Sequence, residues 1–373
     1  MPHPKQEFPY AIVHLLNRWE LGGVRTHVMD LARAFRDRGM NVRIAAWDGG
    51  AQHLARVPFL DLPLYRRGGR SKSVSGFFRS VSILRRFIHE SGPTLIHMHS
   101  RYVTPLAALA ARRLPVSRVY TAHNTFTDLG FLPWYPVPII CPSPSAEAAF
   151  RLHVRSAPGH SLALIPHGVR IQTFPAAVTD TVTVPDCPYF LFLGRMTEEK
   201  GGDVLIDAAA RLTLRGIDNF RVLFLGEGPQ RASWERRAKM SGIGRIVDFP
   251  GSVDDPRLYL VRAKALVQPS IALDAMPMAV LEAMSVRCLV IASDVPPLRD
   301  LVEHGKTGML AAVRDPDALA SCMEEVLKDD DIGGRLVENA HVMARARFSV
   351  DRMAEETLAF YRSSCGIGRP ISR

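Results

Sequence analysis

Short apolar runs alternate along the chain with stretches whose apolar positions recur at helical spacing. In the first half the runs are AIVHLLN, NVRIAA, TLIHMHS, RVYTAHN, PIICPSPS and ALIPHGV, with helical patterns after Gly23, Ser73 and Val103. A second series opens at Tyr189 with YFLFLG and continues through RVLFLG, IVDFPG, ALVQPS, LVIAS and GMLAA, closing on a helix that starts near Asp315. Apolar runs separated by amphipathic segments predict parallel strands with crossover helices. The pattern restarts at Tyr189, so we expect two doubly wound α/β domains, residues 1–170 and 189–349. The stretch 171–188 is rich in Thr, Val, Pro and Ala and reads as the linker. A chain of 373 residues, 47% hydrophobic, is long enough for two cores. Loops at strand C-termini face the ligand crevice in such sheets, which would gather Gly22, Gly23, His99, His123, Arg195 and Asp274 in a cleft between the domains.

The segment from Gln268 to Met309 holds two carboxylates eight positions apart. Asp274 precedes a helix expected to begin near Met276, and Glu282 lies inside it. The free N–H groups at the start of that helix, near Met278 and Ala279, suit a phosphate. Upstream, LGRMTEEKGG puts Arg195 and Lys200 on the loop between a strand and the next helix. Two cations there can hold a diphosphate and neutralise charge on a departing nucleoside diphosphate. LGEGPQR is only half of a dinucleotide fingerprint. His97 and His99 share one face of their strand. A metal pair there lacks a third ligand in the sequence, so His97 reads as structural and His99 as an acceptor contact. FLPWYPVPII either borders the acceptor or packs on a neighbouring helix.

These segments together resemble the retaining glycosyltransferases of family 4, which have the GT-B fold of two Rossmann-like domains facing a cleft. The resemblance spans nearly the whole chain and rests on GGVRTHVMDLARAFRDRGMNV, LGRMTEEKGGDVLIDA, LGEGPQ with IVDFPGSV, and PSIALDAMPMAVLEAM with HGKTGML. It implies that Arg195 and Lys200 hold the donor diphosphate, that Glu282 bonds the ribose hydroxyls and that Val253 meets the base through its backbone. It implies that Asp274 bonds donor-sugar hydroxyls and that amides near Met278 and Ala279 complete the phosphate site. Gly23 would let backbone approach phosphate, and His123 would lie beside the donor sugar and the reacting centre. The catalytic group would thus be His123, Asp274, Arg195 and Lys200. No cofactor and no metal is implied. FSVDRMAEETLAFY resembles the family's last helices, so residues from about 350 to 373 should cross back to the first domain. Departures from the family pattern are Asp274 for Glu, Ala275 and Arg287 for Gly, Leu289 for Pro, Asp300 for Glu and His167 for Asn.

Charge adds a partner. The formal net charge is +10, and between Arg66 and Arg86 stand seven Lys or Arg and no acidic residue. No nucleic-acid recognition signature accompanies them, so nucleic acid is not expected. After Ser73, Val74, Phe77, Phe78, Val81, Leu84 and Ile88 recur at helical spacing with Arg79, Arg85 and Arg86 between them. This predicts a core-packed helix whose basic face is drawn to anionic lipid, with Arg85 and Arg86 near the acceptor. The five cysteines lack metal-ligand or disulfide spacing. With no signal peptide and no long apolar stretch, a cytoplasmic protein, peripheral on the inner face of the membrane, is expected. The sequence therefore reads as a retaining transferase moving a hexose-type sugar from a nucleoside diphosphate to a glycan or lipid-linked acceptor, in cell-surface polysaccharide or glycolipid synthesis. The alternatives are a nucleotide-sugar epimerase and a nucleotide-sugar binding protein with degraded catalysis.

Overall fold

The computed structural model describes residues 11–20, 22–47, 57–65, 72–92, 94–124, 137–154, 161–171, 174, 182–271 and 275–365. The chain divides into two units, residues 1–168 with 350–373, and residues 169–349. The first holds a parallel sheet of β1 (Ala11–Arg18), β2 (Val42–Trp47), β3 (Phe59–Asp61), β4 (Thr94–Met98), β5 (Val116–Thr121), β6 (Ile139–Cys141) and β7 (Leu162–Leu164), in the order β3-β2-β1-β4-β5-β6-β7. The second holds β8 (Tyr189–Leu193), β9 (Arg221–Leu225), β10 (Val247–Gly251), β11 (Ala265–Gln268), β12 (Val290–Ser293) and β13 (Met309–Ala311), in the order β10-β9-β8-β11-β12-β13. Strand order reverses between β1 and β4, and again between β8 and β11. These are the switch points at which doubly wound sheets take ligands.

Each run read as a strand is one. β3 was not expected, because three residues within FLDLP carry too little pattern to separate strand from loop. Why unbroken apolar runs make these strands is visible in β8. Phe190 and Phe192 enter one buried cluster with Phe224 and Trp234, while Tyr189 and Leu191 enter the cluster on the opposite face with Leu223 and Met284. Successive side chains point to opposite faces, so a strand covered on both sides must be apolar at every position. Ile171, Phe174 and Val184, within the expected linker, pack against the second of these clusters.

In the first unit the sheet is covered by α1 (Gly23–Asp37), α2 (Val74–Ser91), α3 (Thr104–Ala111) and α4 (Pro144–Val154), and by the chain's last helix, Val350–Ser364. That helix brings Met353, Leu358, Phe360 and Tyr361 into one cluster with Trp19, Leu31 and Phe35. It is tied polarly as well, by Tyr361 Oη to His97 Nδ1 at 2.6 Å, by Ser117 Oγ to the Cys365 carbonyl at 3.1 Å and by Arg38 to Asp351 at 3.2 Å.

α2 begins at Ser73, whose hydroxyl caps the Gly76 N–H. Leu84, Phe87 and Ile88 are buried, whereas Val74 and Phe78, in its first turns, are 76% and 60% exposed. The expectation of a helix core-packed along its length therefore holds only for its second half.

Arg287 follows the helix Met278–Ser285 with φ of 60°. Its N–H bonds the Met284 carbonyl at 3.4 Å, and the Cys288 N–H bonds the Ala283 carbonyl at 2.9 Å. This is a Schellman ending with arginine where glycine is favoured. The left-handed residue costs roughly 1 kcal/mol, and its guanidinium contacts Glu338 at 3.0 Å on the surface. Replacing Arg287 by Gly and by Ala removes that contact equally, but only Gly relieves the backbone. The Gly variant should be roughly 1 kcal/mol more stable than the Ala variant in urea unfolding; equal midpoints would refute the strain.

Candidate active site

In the second unit the loops after β8, β9 and β11 are bound to one another. The Met196 N–H donates to the Glu227 carbonyl at 2.9 Å, the Gln230 N–H to the Met196 carbonyl at 3.0 Å and the Ile271 N–H to the Glu199 carbonyl at 2.9 Å. Two glycines make this possible. Gly226 has φ of 134°, and a Cβ there would fall 2.0 Å from the Gly194 carbonyl oxygen; Gly201, at φ 65°, would meet the Pro269 carbonyl oxygen at 2.1 Å. Glycine is required where backbones approach this closely. The β8 loop so held carries Arg195, which is exposed, and Lys200, which is half-buried.

The helix Met278–Ser285 follows β11, with Pro277 at its N-cap and no side-chain cap. Its first N–H groups, at Met278 and Ala279, have no acceptor within the helix. Ala279 and Glu282 are half-buried. Val253 follows β10 and packs against the second-unit core. The helix thus starts at Met278, later than expected. Asp274 and the FLPWYPV portion of FLPWYPVPII lie outside the described residues, except for Val137.

In the first unit, six buried histidines converge at the C-terminal ends of the central strands. His14 of β1 and His97 of β4 stand in register, His99 and His123 lie just beyond β4 and β5, His27 is on α1, and His167 follows β7. Four form a hydrogen-bonded row: His14 Nδ1 to His99 Nε2 at 2.9 Å, His99 Nδ1 to His123 Nε2 at 3.0 Å and His123 Nδ1 to His167 Nε2 at 3.1 Å. One proton per link satisfies the row if every imidazole is neutral. His97 stands aside, held by Thr121 Oγ1 and Tyr361 Oη, each at 2.6 Å. This is the structural role expected of it. Burial holds all six well below the usual imidazole range, reinforced for most by neighbouring rings; His14 and His27 are each lowered to about 3.

The sequence shows no third metal ligand beside His97 and His99, but the fold brings His14 to that pair and sets His27 with His99 and His123. The sequence pattern marks neither His14 nor His27, and it marks His167 only as a departure from Asn. Their shared location depends on strand register and on the seating of α1. His99 is 3% exposed and engaged at both nitrogens, which does not suit the direct acceptor contact expected of it. Arg85 was expected on a free basic face, but its guanidinium donates to the Ala110 and Arg112 carbonyls at 3.2 and 2.9 Å. Arg86 pairs with Glu90 at 2.7 Å. Gly23 opens α1, is exposed, and has Gly22 at the N-cap with φ of 144°.

Two doubly wound parallel-sheet units of this kind define the GT-B class of α/β proteins. The family model for glycosyl transferases group 1 matches residues 180–343, and that for glycosyltransferase family 4 matches residues 21–173. The chain belongs to this glycosyltransferase family. It is 27% identical over 367 residues to phosphatidyl-myo-inositol mannosyltransferase of Mycolicibacterium smegmatis, covering 93% of this chain and 92% of the relative. It is 34% identical over 181 residues to D-inositol 3-phosphate glycosyltransferase of Corynebacterium urealyticum, covering 46% and 42%. Among solved structures, Anabaena HepE in complex with UDP and glucose superposes with a TM-score of 0.81 at 19% identity, over 95% of this chain and 100% of that one. Sucrose-phosphate synthase from Thermosynechococcus elongatus does so with 0.81 at 22%, over 95% and 98%.

The neutral histidines make stability depend on pH. Unfolded, each binds a proton below about pH 6.5; folded, His14 and His27 do so only near 3. Stability is therefore intact above pH 6.5 and is lost as pH falls from 6.5 towards 3, by roughly 1.4 kcal/mol per histidine at about pH 5.5. Urea unfolding of the first unit should weaken on acidification, with a shallower slope in His27→Phe. An unchanged midpoint between pH 7.5 and 5.5 would exclude the buried neutral row.

Proposed function

We propose that the protein transfers a hexose-type sugar from a nucleoside diphosphate donor to a lipid-linked or glycan acceptor, with retention of the anomeric configuration. The observation that carries this reading is the cationic loop of Arg195 and Lys200, bonded to both the glycine turn after β9 and the loop leading to the helix at Met278. Three backbone hydrogen bonds tie the loop that carries the two cations to its neighbours, at the C-terminal edge of a sheet whose strand order reverses between β8 and β11. That arrangement favours an anion with several oxygens.

On this reading Arg195 and Lys200 bind the diphosphate and the amides of Met278 and Ala279 share its charge. Glu282 takes the ribose hydroxyls, Val253 meets the base through its backbone, and Asp274 bonds the sugar. For Gly23 and His123 of the first unit we retain the phosphate and donor-sugar roles that the family resemblance implies. As the glycosidic bond to the leaving phosphate breaks, the two cations stabilise the developing negative charge, so the transfer itself uses no metal. The acceptor hydroxyl attacks the same face of the anomeric carbon and gives its proton to the leaving phosphate oxygen. No covalent glycosyl-enzyme forms; trapping one would count against this route. The complete Schellman ending at Arg287 speaks against the degraded-binding alternative in one respect, since that departure from glycine leaves the helix end intact.

The lipid-linked acceptor is supported by the full-length likeness to a phosphatidyl-myo-inositol mannosyltransferase and by α2. Val74 and Phe78 are exposed beside Arg79, and Lys72 lies 3.7 Å from the centre of the half-exposed Tyr102 ring. Exposed apolar groups interleaved with cations suit an anionic bilayer surface on the inner face of the cytoplasmic membrane. No helix among the described residues is long and apolar enough to cross a membrane.

Two experiments test the halves of the reading. One of UDP, GDP or ADP should raise the thermal midpoint selectively. Lys200→Ala should weaken its binding roughly 10- to 100-fold, through the loss of a charged hydrogen bond. No shift with any nucleotide would sink the transferase reading. Separately, Phe78→Ser with Arg79→Glu should abolish sedimentation with phosphatidylglycerol vesicles; undiminished binding would exclude α2 as the membrane contact.

A further inference from the structure

We propose that His27, His99 and His123 form a binding site for a divalent transition ion of the zinc type. They reach one point from separate elements: α1, the end of β4 and the end of β5. Their ligand nitrogens all lie within 4.8 Å of one another, and the rings are 4%, 3% and 9% exposed. His27 is the telling member. Both of its nitrogens are buried without a hydrogen-bond partner among the described residues, while its ring sits 5.5 Å from that of His99 and 5.0 Å from that of His123. Leaving a buried polar atom unpaired is costly, and a bound ion removes that cost for one nitrogen.

A second triad, His14, His97 and His99, also has its nitrogens together. There His97 is engaged at both nitrogens by Thr121 and Tyr361, so it has no lone pair to give. In the first triad the outer contacts support coordination. With the ion on His99 Nδ1 and His123 Nε2, which lie 3.0 Å apart, the far nitrogens remain bonded. His99 Nε2–H then donates to His14 Nδ1, and His123 Nδ1–H to His167 Nε2. Metal-ligating histidines are regularly oriented by such a second hydrogen bond. Every imidazole keeps one proton: the shared proton between His99 and His123 moves along the row, which divides into two arms that donate away from the ion. Nitrogens about 2.0–2.1 Å from a tetrahedral zinc stand roughly 3.4 Å apart, so the His99–His123 pair opens by a few tenths of an ångström and His27 closes in. Three neutral imidazoles leave the fourth position for water or hydroxide, and imidazole selects zinc, cobalt, nickel or copper over magnesium or calcium.

The ion would occupy Nε2 of His123. On the proposed function that withdraws the side chain beside the donor sugar, so the loaded protein loses transfer activity; this clause alone rests on that reading. The ion would act as an inhibitor or a reserve state, separate from the metal-free transfer.

The test uses the full chain, freed of metal by chelation and titrated with cobalt(II). One equivalent should give the visible d–d absorption of a four-coordinate histidine site and be displaced by zinc, and X-ray absorption on the cobalt-loaded wild type should report three imidazoles and one oxygen. His27→Phe fills the same space without nitrogens and should lose the cobalt band and the zinc-dependent rise in thermal midpoint. Absence of the band in the wild type, or the same uptake in His27→Phe, overturns the site; the absorption measurement decides even if that variant fails to fold. Nucleotide-dependent stabilisation is read independently. Its presence without cobalt binding removes the metal site alone, and its absence with cobalt binding removes the transferase reading alone.

Discussion

A parallel sheet needs cover on both faces, since its strands carry apolar side chains above and below and its crossovers must run over them. Both units obey this. In the second, alternate residues of β8 and β9 feed opposite clusters; in the first, the last helix supplies cover that α1 alone does not complete. With both faces occupied, a polar side chain inside a strand, such as His14 of β1, must find a buried partner, and accessible polar chemistry is left to the strand ends. The cation loop, the glycine turns and, apart from His14 inside β1, the histidine row stand at or beyond C-terminal strand ends, two of them beside the places where strand order reverses.

That constraint explains what could be read from sequence. Runs such as YFLFL and RVLFL have no polar position because neither face meets water, and the glycines after them mark where the chain turns. Arg195 and Lys200 were legible because the strand, loop and helix carrying them are contiguous. The histidine row was not. His14, His27, His99, His123 and His167 are scattered over five elements, and only strand register, such as His14 opposite His97, makes them neighbours. A single sequence carries no signal of register between parallel strands joined by long crossovers. Likewise Arg85 and Arg86 looked like free charges because the carbonyls and the carboxylate that engage them belong to α3, the turn after it and the next turn of α2.

The same comparison separates tolerable departures from consequential ones. Arginine at 287 takes the left-handed conformation and leaves the helix ending complete. Histidine at 167 enters a hydrogen-bonded row whose other members share its chemistry. A substitution away from a family pattern is thus absorbed where the backbone can bear it or where a neighbour has the matching donor or acceptor.

The last helix has a further consequence for how the chain is made. Met353, Leu358, Phe360 and Tyr361 belong to the core that holds Trp19 and Phe35, so the first unit's interior is finished by residues synthesised after the whole of the second unit. Residues 169–349 form a contiguous unit and can fold as they emerge from the ribosome, whereas the earlier residues must wait with an open hydrophobic seam until residues 350–364 have followed. Order of synthesis and order of completion are therefore reversed, and the amino-terminal half is the part of the nascent chain most in need of protection from premature association.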